Sequence, residues 1–152
     1  MMLVRKIPNN QQKMMVKPIV AAGGVVFKTD NETVKVLLIY RNGVWDLPKG
    51  KLEKSESIPM CACREVSEET GSKLPMLLAD LGTTYHEYTQ KKKDYGKTTY
   101  WYAMVLPRIT ELIPQIEEGI VLVEWISLSE AIEKVGFENL RVILLRFKNW
   151  VA

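Results

Sequence analysis

The stretch that most constrains this chain runs from Gly50 to Ser72, GKLEKSESIPMCACREVSEETGS. It reads as a loop entering one helix. Ser57 can cap the start, and Pro59 is tolerated in the first turn, where a backbone N–H has no partner anyway. Gly71 suits the stop, where a left-handed residue is wanted. Within the helix, Glu65, Glu68 and Glu69 stand at i, i+3 and i+4, so the three carboxylates share one face. Each like-charge pair costs a few tenths of a kcal/mol if nothing answers it. A hard divalent cation such as Mg²⁺, which takes oxygen ligands and often shares them with substrate phosphates, would answer them. The plainer reading, a solvated acidic face, is the common fate of glutamate-rich helices.

The surrounding residues favour the cation. Gly50 is followed by five residues and Glu56, then by seven residues and Arg64-Glu65-Val66-Ser67-Glu68-Glu69-Thr70-Gly71. This pattern resembles the Nudix box, the signature of the Nudix hydrolases. The identities of Gly50, Glu56, Arg64, Glu65, Glu68, Glu69 and Gly71 match, with Val66 at the apolar position. Ser72 departs from the pattern, which expects an apolar residue there to pack the helix end. Just upstream, Trp45-Asp46-Leu47-Pro48-Lys49-Gly50 resembles the branch holding diadenosine polyphosphate and diphosphoinositol polyphosphate hydrolases.

At 152 residues the chain is expected to be one domain, large enough to bury about two-thirds of its unfolded surface. Its hydrophobic content of 47% and charged content of 26% are those of a soluble globular protein. A net charge of +3 suits an anionic ligand but is thin support for a nucleic-acid groove, which would interleave basic and aromatic residues widely. No apolar run approaches a membrane span, and the first residues lack the apolar core of a secretory signal, so a cytoplasmic location is expected. Cys61 and Cys63, two apart on a helix, point about 200° from each other and should not bridge.

Residues 1–17 read as a loose arm or an extra strand, one that could pair across a homodimer. Strands are expected at 17–27, where Gly23-Gly24 suggests a bulge or a close backbone approach, and at 34–40. The continuous apolar run Val36-Leu37-Leu38-Ile39 implies a central strand covered on both faces. Strands at 76–90 and 97–106 should flank a loop holding Lys91, Lys92, Lys93 and Gly96. A further strand is expected at 120–126. Ser127 and Glu130 form a capping box for a helix over 128–135, and Gly136 breaks it. A last amphipathic helix over 138–150 carries Leu140, Ile143, Leu144 and Phe147 on one face. The order of elements matches what the resemblance implies: an α+β chain folded as an α/β/α sandwich with a central mixed sheet.

The resemblance also implies chemistry: metal-dependent hydrolysis of a diphosphate linkage in a nucleoside diphosphate joined to another group. Mg²⁺, or Mn²⁺, would be held by Glu65, Glu68, Glu69 and the Gly50 carbonyl. Glu69, Glu65 or Glu118 would take the proton from the attacking water. Arg64 and Glu56 would hold the loop against the helix, a task for which a rigid guanidinium–carboxylate fork is suited. Lys49, Arg41, Lys51 and Lys97 are candidate phosphate contacts, Lys49 foremost because it abuts the metal loop. His86, the sole histidine, reads as structural. The competing readings are a nucleotide-binding regulator without hydrolysis, a nucleoside triphosphate hydrolase and an RNA 5′-end pyrophosphohydrolase. The partner expected is a small phosphorylated molecule, with neither membrane nor nucleic acid.

Overall fold

The computed structural model describes residues 16–107 and 111–152, so the expected N-terminal arm lies almost wholly outside the described residues. Among these, seven strands form one mixed sheet: β1 (Lys17–Asp30), β2 (Thr33–Arg41), β3 (Val44–Asp46), β4 (Lys49–Lys51), β5 (Met76–Gln90), β6 (Lys93–Val105) and β7 (Ile120–Ser127). Three helices complete it: α1 (Ile58–Thr70), α2 (Leu128–Lys134) and α3 (Glu138–Val151), with a 3₁₀ turn at Ile116–Glu118.

β1 is the axis. It runs parallel to β6 over residues 17–26 and antiparallel to β2 over 27–30. Where β1 and β2 part, the chain crosses the gap between them. β3 stays paired with β2, through Ile39 and Asp46, while β4 pairs with β1, through Ala22 and Gly50. Neither strand is expected from the sequence: at three residues each, both are too short to show a period. Gly23 is needed at this crossing: a Cβ there would collide with the Pro48 carbonyl and the Lys49 side chain. The close approach expected of the glycine pair is therefore present.

Alternation along the strands sends side chains to two cores. Val25, Val36, Leu38, Trp101 and Ala103 pack on one face with Ala131 of α2 and Leu140, Ile143, Leu144 and Phe147 of α3. Ala22, Val26, Leu37, Tyr102 and Met104 pack on the other with Cys61, Ala62 and Val66 of α1. The Val36–Ile39 run is fully buried on both faces, as its unbroken apolarity implies. This is the α/β/α sandwich with a mixed central sheet.

The β5–β6 connection is tighter than the sequence suggests. Only Lys91 and Lys92 turn, both with positive φ, and Gln90 already pairs with Lys93. Gly96 thus lies inside β6 rather than in a loop. Tyr88 and Tyr95, opposed across the two strands, stack with ring centroids 5.2 Å apart.

Candidate active site

α1 begins and ends as its sequence dictates. The Ser57 hydroxyl accepts from Met60 N–H, and Gly71 adopts the left-handed conformation and returns its N–H to the Ser67 carbonyl. Ser72, the departure from the box, is buried but satisfied by polar contacts instead of apolar ones. Its carbonyl accepts from Ser67 Oγ at 2.6 Å, and its hydroxyl donates to the Lys73 carbonyl.

Arg64 organises the outer half of the helix. Its Nε and Nη2 donate to the two oxygens of Glu56, at 2.6 and 3.0 Å, and Nη2 also reaches the Lys51 carbonyl. Nη1 takes Glu65 at 2.8 Å and Glu68 at 3.2 Å, drawing those two carboxylates onto one point. The Arg64 hydrogen bonds hold the Glu56 carboxyl down at about 2, and the same contacts raise the guanidinium above its ordinary value. Glu65 lies against Gly50, where any Cβ would occupy the space of its carboxylate. Burial raises the Glu65 carboxyl, against the pull of Arg64, and the charges of Glu68 and Glu118 add to the rise. Glu118 is exposed on the 3₁₀ turn, outside the box yet near enough for its charge to act on Glu65.

Glu69 has other partners. It is only 3% exposed, and its two oxygens accept from the Lys49 backbone N–H at 2.8 Å and from Arg41 Nη1 at 3.0 Å. Burial pushes its carboxyl up to about 7. Among the described residues no three acidic, histidine or cysteine side chains are gathered as a ready metal centre. The donor chemistry nonetheless fits a hard divalent cation at Glu65 and Glu68: both are carboxylates, already converged, beside the Gly50 backbone. Glu69 would have to exchange its present donors to join them.

The four expected phosphate contacts do fall together. Lys49, Lys51 and Arg41 lie close enough to Lys97 for their charges to disfavour its own, and with burial as the larger cause its ammonium is lowered to about 8. Lys49 and Lys97 line a cavity of about 390 Å³, which Phe137, Glu138, Asn139 and Leu140 at the start of α3 also line. His86 lines the same cavity, and its ring lies 5.6 Å from that of Tyr88. Asn139 is fixed there by donating to the Tyr85 carbonyl at 3.2 Å.

The sequence reading missed two parts of this site. Asp46, 6% exposed, accepts from both Arg41 and Lys49 and lines the cavity. An acidic residue set in the apolar run Val44-Trp45-Asp46-Leu47-Pro48 was the available signal, since a charge carried into a core requires partners. The 137–140 wall carried no such signal: the Gly136 N–H bond to the Trp45 carbonyl brings it to the site, and that is a tertiary contact.

Fold and site define a class: a mixed-sheet sandwich whose carboxylate helix stands beside a cluster of cations. The NUDIX domain model matches residues 17–147, and the chain belongs to the Nudix family of hydrolases. It is 30% identical over 138 residues to the 8-oxo-(d)GTP phosphatase of Mycolicibacterium smegmatis, a match covering 84% of this chain but 40% of that longer protein. It is also 30% identical over 139 residues to the asymmetrical bis(5'-nucleosyl)-tetraphosphatase of Sus scrofa, covering 82% of this chain and 89% of that one. The C. elegans Ap4A hydrolase superposes with a TM-score of 0.66 at 22% identity, covering 91% of this chain and all of that one, a likeness of fold. No helix among the described residues is long and apolar enough to cross a membrane.

Proposed function

We propose that this protein hydrolyses a diphosphate linkage in a nucleotide, with Mg²⁺ or Mn²⁺ held by Glu65, Glu68 and Glu69 and by the Gly50 carbonyl. The observation that carries the reading is the convergence of Glu65 and Glu68 on Arg64 beside Gly50, next to the cavity that Lys49 and Lys97 line. A bound divalent ion supplies charge neutralisation at the phosphate oxygens and lowers the pKa of a coordinated water. The chain supplies the rest. Arg64, clamped by Glu56, fixes the metal-facing carboxylates. Lys49, Lys51, Lys97 and Arg41 grip the phosphate chain. Glu69, Glu65 or Glu118 accepts the proton of the attacking water, Glu118 approaching from its exposed turn.

The nucleoside end is proposed to enter the cavity, whose volume lies within the range of about 300–1,000 Å³ common for small-molecule sites. The names of the two 30%-identical relatives both point to nucleotides, one a dinucleoside tetraphosphate and one an oxidised nucleoside triphosphate. A diphosphoinositol polyphosphate carries phosphate on every side and would need cations all round, whereas the cavity wall offers Phe137 and Leu140. Two free thiols suit a reducing, cytoplasmic setting.

The test is product mass and phosphate release from dinucleoside polyphosphates, oxidised and normal nucleoside triphosphates, ADP-ribose and a diphosphoinositol polyphosphate, with and without Mg²⁺. Glu69→Gln runs alongside. Metal-dependent turnover of a nucleotide, lost in the variant, supports the reading. Equal turnover in Glu69→Gln, or cleavage of the inositol compound alone, overturns it.

A further inference from the structure

Asp46 stands outside the box yet touches two of the cations assigned to phosphate. One of its oxygens accepts from Lys49 Nζ and from Arg41 Nη2, each at 3.4 Å, while the other accepts from the Leu47 N–H at 2.8 Å. Glu69 holds the same two residues from the opposite side, through Arg41 Nη1 and the Lys49 backbone N–H. The four residues close a ring in which two carboxylates alternate with two cationic residues. Their side chains are between 4% and 18% exposed. The ring spans the gap where β1 and β2 part, because Asp46 belongs to β3 and Lys49 to β4.

The two halves of the ring differ in tightness. The bonds to Glu69 are near the usual length for charge-assisted contacts, about 2.7–2.9 Å, whereas both cation contacts to Asp46 are longer at 3.4 Å. Asp46 itself is anchored by the short bond from Leu47 N–H and by burial, so it cannot follow a departing ammonium. Lys49 is registered by its backbone on Glu69, and its ammonium, at the end of a flexible four-carbon stem, reaches Asp46 at 3.4 Å. The arrangement holds two cations loosely on a fixed internal anion that lines the cavity.

We propose that Asp46 is an internal competitor for the substrate's phosphates: it occupies Lys49 and Arg41 in the empty site and yields them to an incoming phosphate chain. The proposal rests on reading Lys49 and Arg41 as phosphate contacts. Asp46 is on this account a positioning residue. It keeps both side chains aimed before substrate arrives, and its charge lowers the affinity of the site for anions.

The test is calorimetric titration of inorganic tripolyphosphate, without metal, into the wild type, Asp46→Asn, Asp46→Glu and Lys49→Met, with thermal melting of each. Asp46→Asn is expected to bind at least about fivefold tighter, the lower end of ordinary coupling between sites, yet to melt at a lower temperature because two half-buried cations lose a partner. A merely structural residue would lower both. Asp46→Glu, which keeps the charge, should bind as the wild type does, and Lys49→Met should bind more weakly. Unchanged or weaker binding by Asp46→Asn, with Lys49→Met weakened, overturns the competitor role and leaves the phosphate reading standing. Unchanged binding by Lys49→Met overturns both. Should Asp46→Asn fail to fold, the ¹³C shift of the Asp46 carboxyl decides in the wild type: it should move when tripolyphosphate is added at fixed pH, and no movement rejects the proposal.

Discussion

Arg64 meets Glu56 as a fork on a fork, Nε to Oε2 at 2.6 Å and Nη2 to Oε1 at 3.0 Å, across eight residues of chain. The contact ties the loop after β4 to the middle of α1, and the remaining guanidinium nitrogen is what gathers Glu65 and Glu68. Removing it should therefore cost both stability and rate. Breaking a fully buried ion pair costs about 3–5 kcal/mol. The Arg64 side chain is 22% exposed, so Arg64→Ala should lose less, about 2 kcal/mol, or roughly 4–8 °C in melting temperature. Arg64→Lys keeps charge without the fork and should recover only part of it. Differential scanning calorimetry beside steady-state kinetics checks this. Unchanged values of both would contradict the orienting role.

The same pair sets an acid limit. Arg64 holds the Glu56 carboxyl at about 2, below the ordinary glutamate value of about 4.3. A carboxyl lowered in the folded state contributes stability that is fully present above its unfolded value and is lost as pH falls through its folded value. The stability gap between wild type and Glu56→Gln should be constant above about pH 5 and should close between about pH 4 and pH 2. Urea unfolding across that range measures it, and a gap that persists at pH 2 would remove the pair from the account.

Much of this was legible in the chain, for physical reasons that differ by element. The helix α1 declared itself through a capping serine, a terminal glycine and three carboxylates on one face. The central strands declared themselves through unbroken apolar runs. The crossing by β3 and β4 did not, because its pairing is set by where β1 and β2 diverge, and a three-residue strand carries no pattern of its own. The second function of Arg41 was hidden for the same reason. A basic residue at a strand end reads as a phosphate contact, and only the fold reveals that Glu69 and Asp46 lie on either side of it. The cavity wall at Phe137–Asn139 is a product of docking α3 against β5, which no local spacing encodes.

Gly50 is a place where one methyl group should separate activity from folding. A Cβ added there would land on the Glu65 carboxylate, the far end of a flexible side chain, which would have to shift. Gly50→Ala should displace that carboxylate by the order of an ångström and reduce metal-dependent turnover by about 10²-fold, the usual cost of such a misplacement. Gly50 and its neighbours keep their pairing with β1, so melting should change little. Turnover by Gly50→Ala equal to that of the wild type would mean that Glu65 does not need its present position.

Lys97 should make anion binding depend on alkaline pH. Burial, with help from the nearby charges of Lys49 and Lys51, lowers its ammonium to about 8, against about 10.4 for an unperturbed lysine. Between those values the folded protein has shed the proton and the unfolded chain has not, so the unfolded state binds more protons and stability rises with pH. The penalty for holding the charge is fully present below about pH 8. A polyphosphate in the cavity would offset that penalty and favour the charged form, so binding at pH 9 should take up a proton. Tripolyphosphate affinity should accordingly fall as pH rises from 7.5 to 9.5, by roughly a factor of ten per pH unit at most once Lys97 has titrated. Lys97→Arg keeps its charge throughout, because a guanidinium does not deprotonate in this range, and should flatten the profile. Lys97→Met should bind weakly at every pH and show no slope. Calorimetry in two buffers of different ionisation enthalpy reads the proton uptake directly, and a wild-type profile as flat as that of Lys97→Arg would take Lys97 out of the phosphate site.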